Sequence, residues 1–231
     1  MTGRAATHAY YPLFADLRGR RCLVVGGGPI AQRKASTLLR FGARVTVISP
    51  TATPRLVALA RQGKLRHVAR AFRAADVRGA WLVYAATDDQ AVNRLVFRSA
   101  SRLRIFTNVV DQKPLCSCIA PAIFKRGPLT VAVSTGGASP SMAKKLRHEL
   151  DRTIGPEYVP MLRLLANLRG IAKRRLPKYQ DRKRYFDQLV HGRVFGLTKV
   201  GKQGEARRTA LTLLEQYAAN GQLPHRRALR G

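Results

Sequence analysis

Acidic residues are scarce in this chain. Its 231 residues include 12 Asp and Glu against 43 Lys and Arg, which gives a net charge of +31. Between Leu17 and Ala75 there is no acid at all. Such an excess of cations predicts an anionic partner, either a nucleic acid or a small polyanion. A third interpretation is a basic surface shared by the proteins of one lineage, with no specific partner.

Cysteine is also rare, and the three residues Cys22, Cys116 and Cys118 make no disulfide framework. Cys22 lies in a predicted strand and is interpreted as a small buried hydrophobe. Cys116 and Cys118 have the spacing of a metal or redox pair, but no second Cys/His cluster lies near them in the sequence. The five histidines are scattered and show no ligand spacing. The sequence therefore predicts no metal site.

Long apolar runs are missing as well. No stretch approaches the length of a membrane span, and the first 16 residues lack the continuous apolar core of a secretion signal. We therefore expect a cytoplasmic protein with no membrane partner. Aromatic residues make up only 7% of the chain, and no helix-turn-helix, zinc finger or RNA-binding signature accompanies the charge. A basic protein that contacts nucleic acid stays open as the minor alternative.

A glycine-rich turn between a strand and a helix is the most informative feature present. The apolar, β-branched run 21–25 stops at Gly26, Gly27 and Gly28, and a helical pattern follows at once. Gly26-x-Gly28-x-x-Ala31 is typical of a dinucleotide-binding turn. The first glycine permits the tight turn, Gly28 lets the backbone approach the pyrophosphate, and Ala31 allows close packing of helix on strand. The free N–H groups of the helix would then bind the phosphates.

Strand and helix patterns alternate along the first half of the chain. This alternation predicts an α/β fold with a Rossmann-like, doubly wound parallel sheet. The predicted strands are 23–25, 45–48, 65–68, 81–85 and 105–109, and the predicted helices are 30–41, with an apolar stripe of Ile30, Leu38 and Phe41, 54–62 and 90–103.

The pattern changes after residue 111. Two strands, 119–124 and 129–133, are predicted to form a hairpin through the loop 125–128. A helix follows over 139–153, and the remainder is helical with interruptions at Pro177 and at 201–204. We therefore predict three segments, which are a dinucleotide-binding domain (1–113), a small α+β region of hairpin and helix (114–153) and a C-terminal helical segment (154–231).

Few acids are placed to serve a site in this sheet. Ligands bind beyond the carboxyl ends of parallel strands, and only Asp88, Asp89 and Asp111 follow such ends among the acids before residue 112. Asp88 and Asp89 are equally well explained as helix caps, whereas no obvious helix starts after Asp111. A carboxylate beside a dinucleotide could accept a proton as a hydride leaves. Position alone leaves Asp111 open between a catalytic and a structural role.

One element of the usual dinucleotide pattern is missing. An acid about 20 residues beyond the glycines normally binds the ribose hydroxyls of NAD. Here the second strand ends at Ser49-Pro50-Thr51, with no acid. From the residues alone NADP therefore remains open, with Arg44 or Arg55 near its 2′-phosphate.

Taken together, several segments resemble the precorrin-2 dehydrogenase and sirohydrochlorin ferrochelatase module found at the N-terminus of siroheme synthases. The resemblance extends from about residue 9 to residue 216. The segments are YPLF at 11–14, GGGPIAQRKA at 26–35, AATDD at 85–89 with Val92 and Asn93, NVVD at 108–111 and VAVSTGGASP at 131–140.

The resemblance implies that NAD⁺ takes a hydride from precorrin-2 to give sirohydrochlorin. It also implies Fe²⁺ insertion, with Fe²⁺ as a substrate, to give siroheme; a dehydrogenase without chelatase activity is the alternative.

Asp111 matches the family's catalytic aspartate. The hairpin-plus-helix region 114–153 resembles the family's dimerisation region, and the module is typically a homodimer. The polycarboxylate tetrapyrrole fits the basic charge. The cofactor-binding candidates are Gly26, Gly27, Gly28, Pro29, Ile30, Ala31, Ser49, Pro50, Thr51, Thr87 and Asp88.

Overall fold

The computed structural model describes residues 10–222, and the chain forms two compact units. Among the described residues, the first unit comprises residues 10–120 together with Ser134–Ser139. The second comprises Pro121–Val133 and residues 140–222. The three predicted segments 1–113, 114–153 and 154–231 stay predictions of functional domains, because packing divides the chain at other points. None of the helices among residues 10–222 is long and apolar enough to cross a membrane.

The first unit contains a five-stranded parallel sheet in the order β3-β2-β1-β4-β5. This confirms the predicted doubly wound sheet, and each predicted strand is present with its bounds shifted by three residues or fewer. The strands are β1 (Arg21–Val25), β2 (Arg44–Ile48), β3 (Arg66–Val68), β4 (Leu82–Ala85) and β5 (Phe106–Val109).

Three helices cover the two faces of this sheet. They are α1 (Pro29–Arg40), α2 (Pro54–Arg61) and α3 (Gln90–Arg102). Helices α1 and α2 share one apolar core with the sheet, and α3 shares the other. The predicted α1 stripe of Ile30, Leu38 and Phe41 was partly wrong. The buried residues are Ala31, Ala35 and Leu38, because small side chains let the helix lie close to the strands.

Trp81 also differs from its prediction. It precedes β4 instead of lying within the strand, and 43% of its surface is exposed. The guanidinium of Arg20 lies 4.4 Å from the centroid of the indole ring. This cation–π contact holds an aromatic side chain at the surface, where the apolar run alone predicted burial.

The second unit begins with an antiparallel hairpin of β6 (Ala122–Arg126) and β7 (Leu129–Val133). The predicted four-residue loop was wrong, because residues 125 and 126 extend the strand and only Gly127 and Pro128 form the turn. Arg126 donates from Nη2 to the Asp151 carboxylate at 2.9 Å. This ion pair joins the hairpin to helix α4 (Pro140–Thr153).

Four further helices complete the second unit. Two breaks between these helices, after residues 175 and 199, fall where Pro177 and residues 201–204 predict them. A third break at Gly192 was not predicted; there a Cβ would lie against the carbonyl oxygen of Gln188. Tyr185 is fully buried in the core between these helices and donates its hydroxyl to Ala210 O at 3.0 Å. The helices are α5 (Tyr158–Arg175), α6 (Tyr179–His191), α7 (Arg193–Lys199) and α8 (Gln203–Gln222).

Candidate functional site

The strand order of the first unit creates a crevice at its carboxyl edge. The chain runs from β1 outward through β2 and β3, then returns to place β4 and β5 on the other side of β1. Ligands of open parallel sheets bind where the order reverses, here between the ends of β1 and β4. Gly26 follows β1 at this point with φ of 117°, and a Cβ there would clash with Ala86 O beyond β4.

Gly27 is also required by close backbone approach. A Cβ on Gly27 would clash with the carbonyl oxygen of Thr51 in the loop after β2. The same loop is joined to the turn by a bond from the Thr53 amide to Gly27 O, of 2.9 Å. The turn after β1 and the loop after β2 therefore support each other, and only glycine fits between them.

Gly28 differs from Gly26 and Gly27, because no atom beyond its own two chain neighbours lies within 4 Å of where its Cβ would be. It caps α1 with φ of −78°, a value open to any residue, and no side chain caps the first amides of the helix. Pro29 and Ile30 open that helix, and the fully buried Ala31 packs it on the sheet. The open space before free helical N–H groups is a cradle that fits a pyrophosphate.

The loop after β2 is supported by a contact with His67 of β3. Ser49 is buried, and its carbonyl oxygen lies 3.0 Å from the ring nitrogen Nε2 of His67. Pro50 and Thr51 are exposed at the edge of the crevice. No acid follows β2, so the ribose end of a dinucleotide would meet these backbone and hydroxyl groups instead of a carboxylate.

The loop after β4 is fixed by a buried amide. Thr87 donates its hydroxyl to Asn93 Oδ1 at 3.0 Å, and Asn93 Nδ2 donates back to Thr87 O at 2.9 Å. Asp89 is the helix cap of α3, because its Oδ1 accepts from Ala91 N and Val92 N. Of the two acids considered as caps, Asp89 fills that role, and Asp88 lies exposed at the edge of the crevice.

Asp111 lies just beyond β5 in an unusual backbone conformation. Its φ of 58° is left-handed, a region that aspartate and asparagine enter more readily than most side chains. The residue is exposed. Its carboxylate is near enough to the Lys34 ammonium to favour the charged form of that lysine.

Cys116 holds the turn that carries Asp111. Its Sγ accepts from Val109 N at 3.3 Å and lies 3.2 Å from Val109 O and 3.3 Å from Gln112 O, either of which accepts its proton. These contacts bracket Asp111 on both sides.

Burial raises the pKa of the Cys116 thiol and raises that of Cys118 to about 12. Both thiols are therefore protonated at neutral pH, which opposes the thiolate chemistry of a metal or redox pair.

A lysine and a tyrosine complete this half of the crevice. Lys34, on α1, places its Nζ 4.8 Å from the centroid of the Tyr84 ring on β4. Burial raises the pKa of Tyr84 and lowers that of Lys34, the latter effect being opposed by Asp111. Among residues 10–222 no group of three or more His, Cys, Asp or Glu could hold a metal ion.

The structure therefore brings the predicted cofactor candidates and Asp111 to one edge of one unit. Sequence reasoning missed the structural roles of four residues, namely Lys34, Tyr84, Asn93 and Cys116, the last of which it considered only for a metal or redox pair. Lys34 and Asn93 lay within segments already noted for their resemblance, which was an available signal. Tyr84 was seen only as part of an apolar strand, and nothing in the local pattern around Cys116 indicates its contacts with Val109 and Gln112.

Comparison with known families agrees with this arrangement. Residues 13–122 match the family model described as "Putative NAD(P)-binding". Residues 126–153 match the central region of sirohaem biosynthesis proteins, and residues 157–214 match the sirohaem synthase dimerisation region.

Individual relatives are similar over most of this chain. It is 40% identical to siroheme synthase 1 of Serratia proteamaculans (strain 568) over 209 residues, which are 90% of this chain and 44% of that protein. It is 42% identical to siroheme synthase of Thioalkalivibrio sulfidiphilus (strain HL-EbGR7), covering 89% of this chain and 42% of that protein. The chain thus spans less than half the length of these relatives.

Among solved structures, the fold is similar to that of SirC, precorrin-2 dehydrogenase. The TM-score is 0.70 and the sequences are 28% identical. The match covers 90% of this chain and 100% of that chain.

Proposed function

This chain belongs to the siroheme synthase N-terminal module family, and we propose that it is an NAD-dependent precorrin-2 dehydrogenase. The observation that carries the proposal is the joint placement of a pyrophosphate cradle at Gly28 and an exposed carboxylate at Asp111 on one edge of the sheet. The similarity to SirC, precorrin-2 dehydrogenase, over the whole of that chain supports the substrate.

The residues of this chain divide the chemistry between them. The amides at the start of α1 would bind the pyrophosphate of NAD, and the glycine turn would let it approach the backbone. The bound NAD would supply the hydride acceptor for oxidation of the tetrapyrrole. Oxidation removes a hydride and a proton, and the Asp111 carboxylate is the group placed to accept that proton. Cys116 keeps Asp111 at the mouth of the crevice by holding its turn.

Iron insertion is the second activity that we propose for the same site. The relatives from Serratia and Thioalkalivibrio are siroheme synthases, and siroheme differs from sirohydrochlorin by bound iron. Fe²⁺ is a substrate in this step. Asp111 would accept the protons that the tetrapyrrole nitrogens lose as the metal enters, one at a time, and would pass each to solvent, to which it is exposed.

A homodimer is proposed as the working form. Residues 157–214 match a dimerisation region, and α4 carries three exposed apolar side chains at a spacing of four residues. These are Met142, Leu146 and Leu150, exposed by 47%, 38% and 37%. An apolar stripe of this kind is typical of a surface that a second chain covers. The predicted cytoplasmic location stays a prediction.

The proposed function is tested by anaerobic absorbance spectroscopy of precorrin-2 with purified protein. We expect a sirohydrochlorin spectrum that requires NAD⁺, with NADP⁺ tested in parallel because no acid follows β2. Adding Fe²⁺ should then form siroheme faster than in a protein-free control. No spectral change with either dinucleotide would refute the dehydrogenase, and an iron step no faster than the control would refute the chelatase alone.

A further inference from the structure

Lys34 differs from the other cations of α1. Arg33 and Arg40 are exposed, as long cationic side chains on a helix surface usually are, whereas Lys34 is half-buried. Its ammonium lies over the ring of Tyr84, 4.8 Å from the centroid. The contact with an aromatic face directs the lysine across β4, toward the half of the sheet that ends in Asp111.

The sheet surface next to Lys34 becomes polar on passing from Tyr84 of β4 to β5. Tyr84 is paired with Asn108 of the neighbouring strand, so the two side chains lie on the same face of the sheet. Asn108 is buried and donates from Nδ2 to Cys118 O at 3.0 Å. Lys34 therefore stands at the boundary between the apolar core of α1 and a polar surface near the carboxyl ends of β4 and β5.

Lys34 has no ion-pair partner of its own within residues 10–222, since no carboxylate oxygen of the described chain lies within 4.0 Å of its amine. Burial lowers its pKa and the neighbouring Arg33 lowers it further, while Asp111 acts in the opposite direction. A half-buried ammonium without an ion pair is stabilised by an incoming anion, because a charge-assisted bond offsets the lost hydration.

We infer that Lys34 is a substrate-binding residue that holds one peripheral carboxylate of the tetrapyrrole near Asp111. This role rests on the proposed function and assigns one cation to the polyanionic substrate. The Tyr84 ring keeps the ammonium in place, so that less side-chain freedom is lost when the carboxylate binds. The positive charge of Lys34 also offsets the repulsion between a substrate carboxylate and Asp111.

The test compares Lys34→Gln with Arg33→Gln, which removes the same charge from the adjacent, exposed position of the same helix. Sirohydrochlorin binding is measured by absorbance titration without dinucleotide, and NAD⁺ binding is measured separately by calorimetry. We expect Lys34→Gln to raise the Kd of sirohydrochlorin about tenfold or more. It should leave the Kd of NAD⁺ within about twofold, and Lys34→Arg should restore most of the tetrapyrrole affinity.

Three outcomes would overturn the assignment. Equal sirohydrochlorin affinities for Lys34→Gln and Arg33→Gln would show that only net charge acts. A weakened NAD⁺ affinity in Lys34→Gln would place the lysine with the cofactor instead. Wild-type protein that does not bind sirohydrochlorin would overturn it together with the proposed function.

The two proposals can also fail separately. If the wild type binds sirohydrochlorin but does not oxidise precorrin-2, the proposed dehydrogenase fails, and a tenfold loss of sirohydrochlorin affinity in Lys34→Gln still supports the carboxylate site.

Discussion

Asp111 combines an exposed carboxylate with a left-handed backbone at φ of 58°. The conformation limits which substitutions report on the carboxylate alone. Alanine at this position adds backbone strain of about 1–2 kcal/mol, whereas asparagine tolerates the same region and keeps the size of the side chain. Asparagine is therefore the substitution that separates proton transfer from folding.

We predict that Asp111→Asn lowers the kcat of precorrin-2 oxidation by about 100-fold or more, because the amide cannot accept the proton. NAD⁺ affinity and thermal stability should stay at wild-type values. The measurements are anaerobic turnover, NAD⁺ titration and thermal unfolding. An Asp111→Asn protein with wild-type turnover would exclude this residue as the base.

Adjacent glycines are expected to fail in different ways when replaced by alanine. Gly28→Ala should fold normally, because no atom beyond the two chain neighbours lies within 4 Å of the new Cβ. It should lose at least about tenfold in NAD⁺ affinity, because the methyl group would occupy the phosphate cradle. Gly27→Ala should instead lower the free energy of unfolding, since its Cβ meets Thr51 O. Equal NAD⁺ affinities for Gly28→Ala and wild type would show that the pyrophosphate does not lie there.

At the scale of elements, each loop of the crevice is held by a neighbour from outside its own strand. The turn after β1 is bonded to Thr53, the loop after β4 to Asn93 on α3, and the turn after β5 to Cys116. These bonds fix the loops before any ligand arrives. A preformed crevice loses less conformational freedom on binding.

The loop before β4 has an equivalent support away from the site. Arg70 donates to both carboxylate oxygens of Asp76, at 2.8 and 2.6 Å, and the amide of Arg73 donates to Asp76 Oδ2 at 2.7 Å. The hydrogen bonds from Arg70 hold the pKa of Asp76 below its ordinary value. Asp76 follows no strand end, and the structure gives it this stabilising role.

We predict that Asp76→Asn lowers the free energy of unfolding by about 1–2 kcal/mol at neutral pH. Because folding lowers this pKa, the stabilisation is present above the ordinary carboxyl value of about 3.9 and is lost as pH falls through the lower folded value. Urea unfolding across this range should show the variant and the wild type converging. Asp16→Asn is the control, since its pair with Arg18 is exposed to water; an equal effect of both variants would contradict the prediction.

At the scale of the whole molecule, the charge of +31 exceeds what one tetrapyrrole requires. This charge raises the association rate of any polyanion, so specificity must come from individual cations in defined places. Lys34 is the cation to which we assign a substrate carboxylate. The same charge opposes self-association. The proposed homodimer therefore needs an apolar contact, and the stripe on α4 is our candidate for it.

We predict that the wild-type chain is a dimer by light scattering and that Leu146→Glu shifts it toward monomer, because a carboxylate would be buried in the contact. Lys144→Glu, an exposed position two residues away on α4, is the control and should stay dimeric. A wild-type monomer, or a dimer unaffected by Leu146→Glu, would contradict the α4 contact.

The sequence alone was enough to predict the parallel sheet, its helices and the residues along its carboxyl edge. These depend on local signals, such as β-branched runs, glycines at strand ends and proline in the first turn of a helix, which act over a few residues. The same locality explains the errors. The predicted hairpin turn was too long, because residues 125 and 126 have a loop-like composition and become strand residues only by pairing with the opposing strand. The break at Gly192 was missed because a single glycine within a helical pattern is a weak signal.

Lys34, Tyr84 and Cys116 acquired their roles only through folding, since each acts on a group from another strand or turn of the chain. Lys34 meets a tyrosine 50 positions away, and Cys116 closes a turn through a thiol whose pattern suggested metal or redox chemistry. Local propensity encodes elements because backbone conformation is decided by near neighbours. Burial, charge pairing and hydrogen-bond partners depend on residues that meet only in the folded chain. These tertiary contacts are what place the glycine turn and the Asp111 carboxylate in one candidate site.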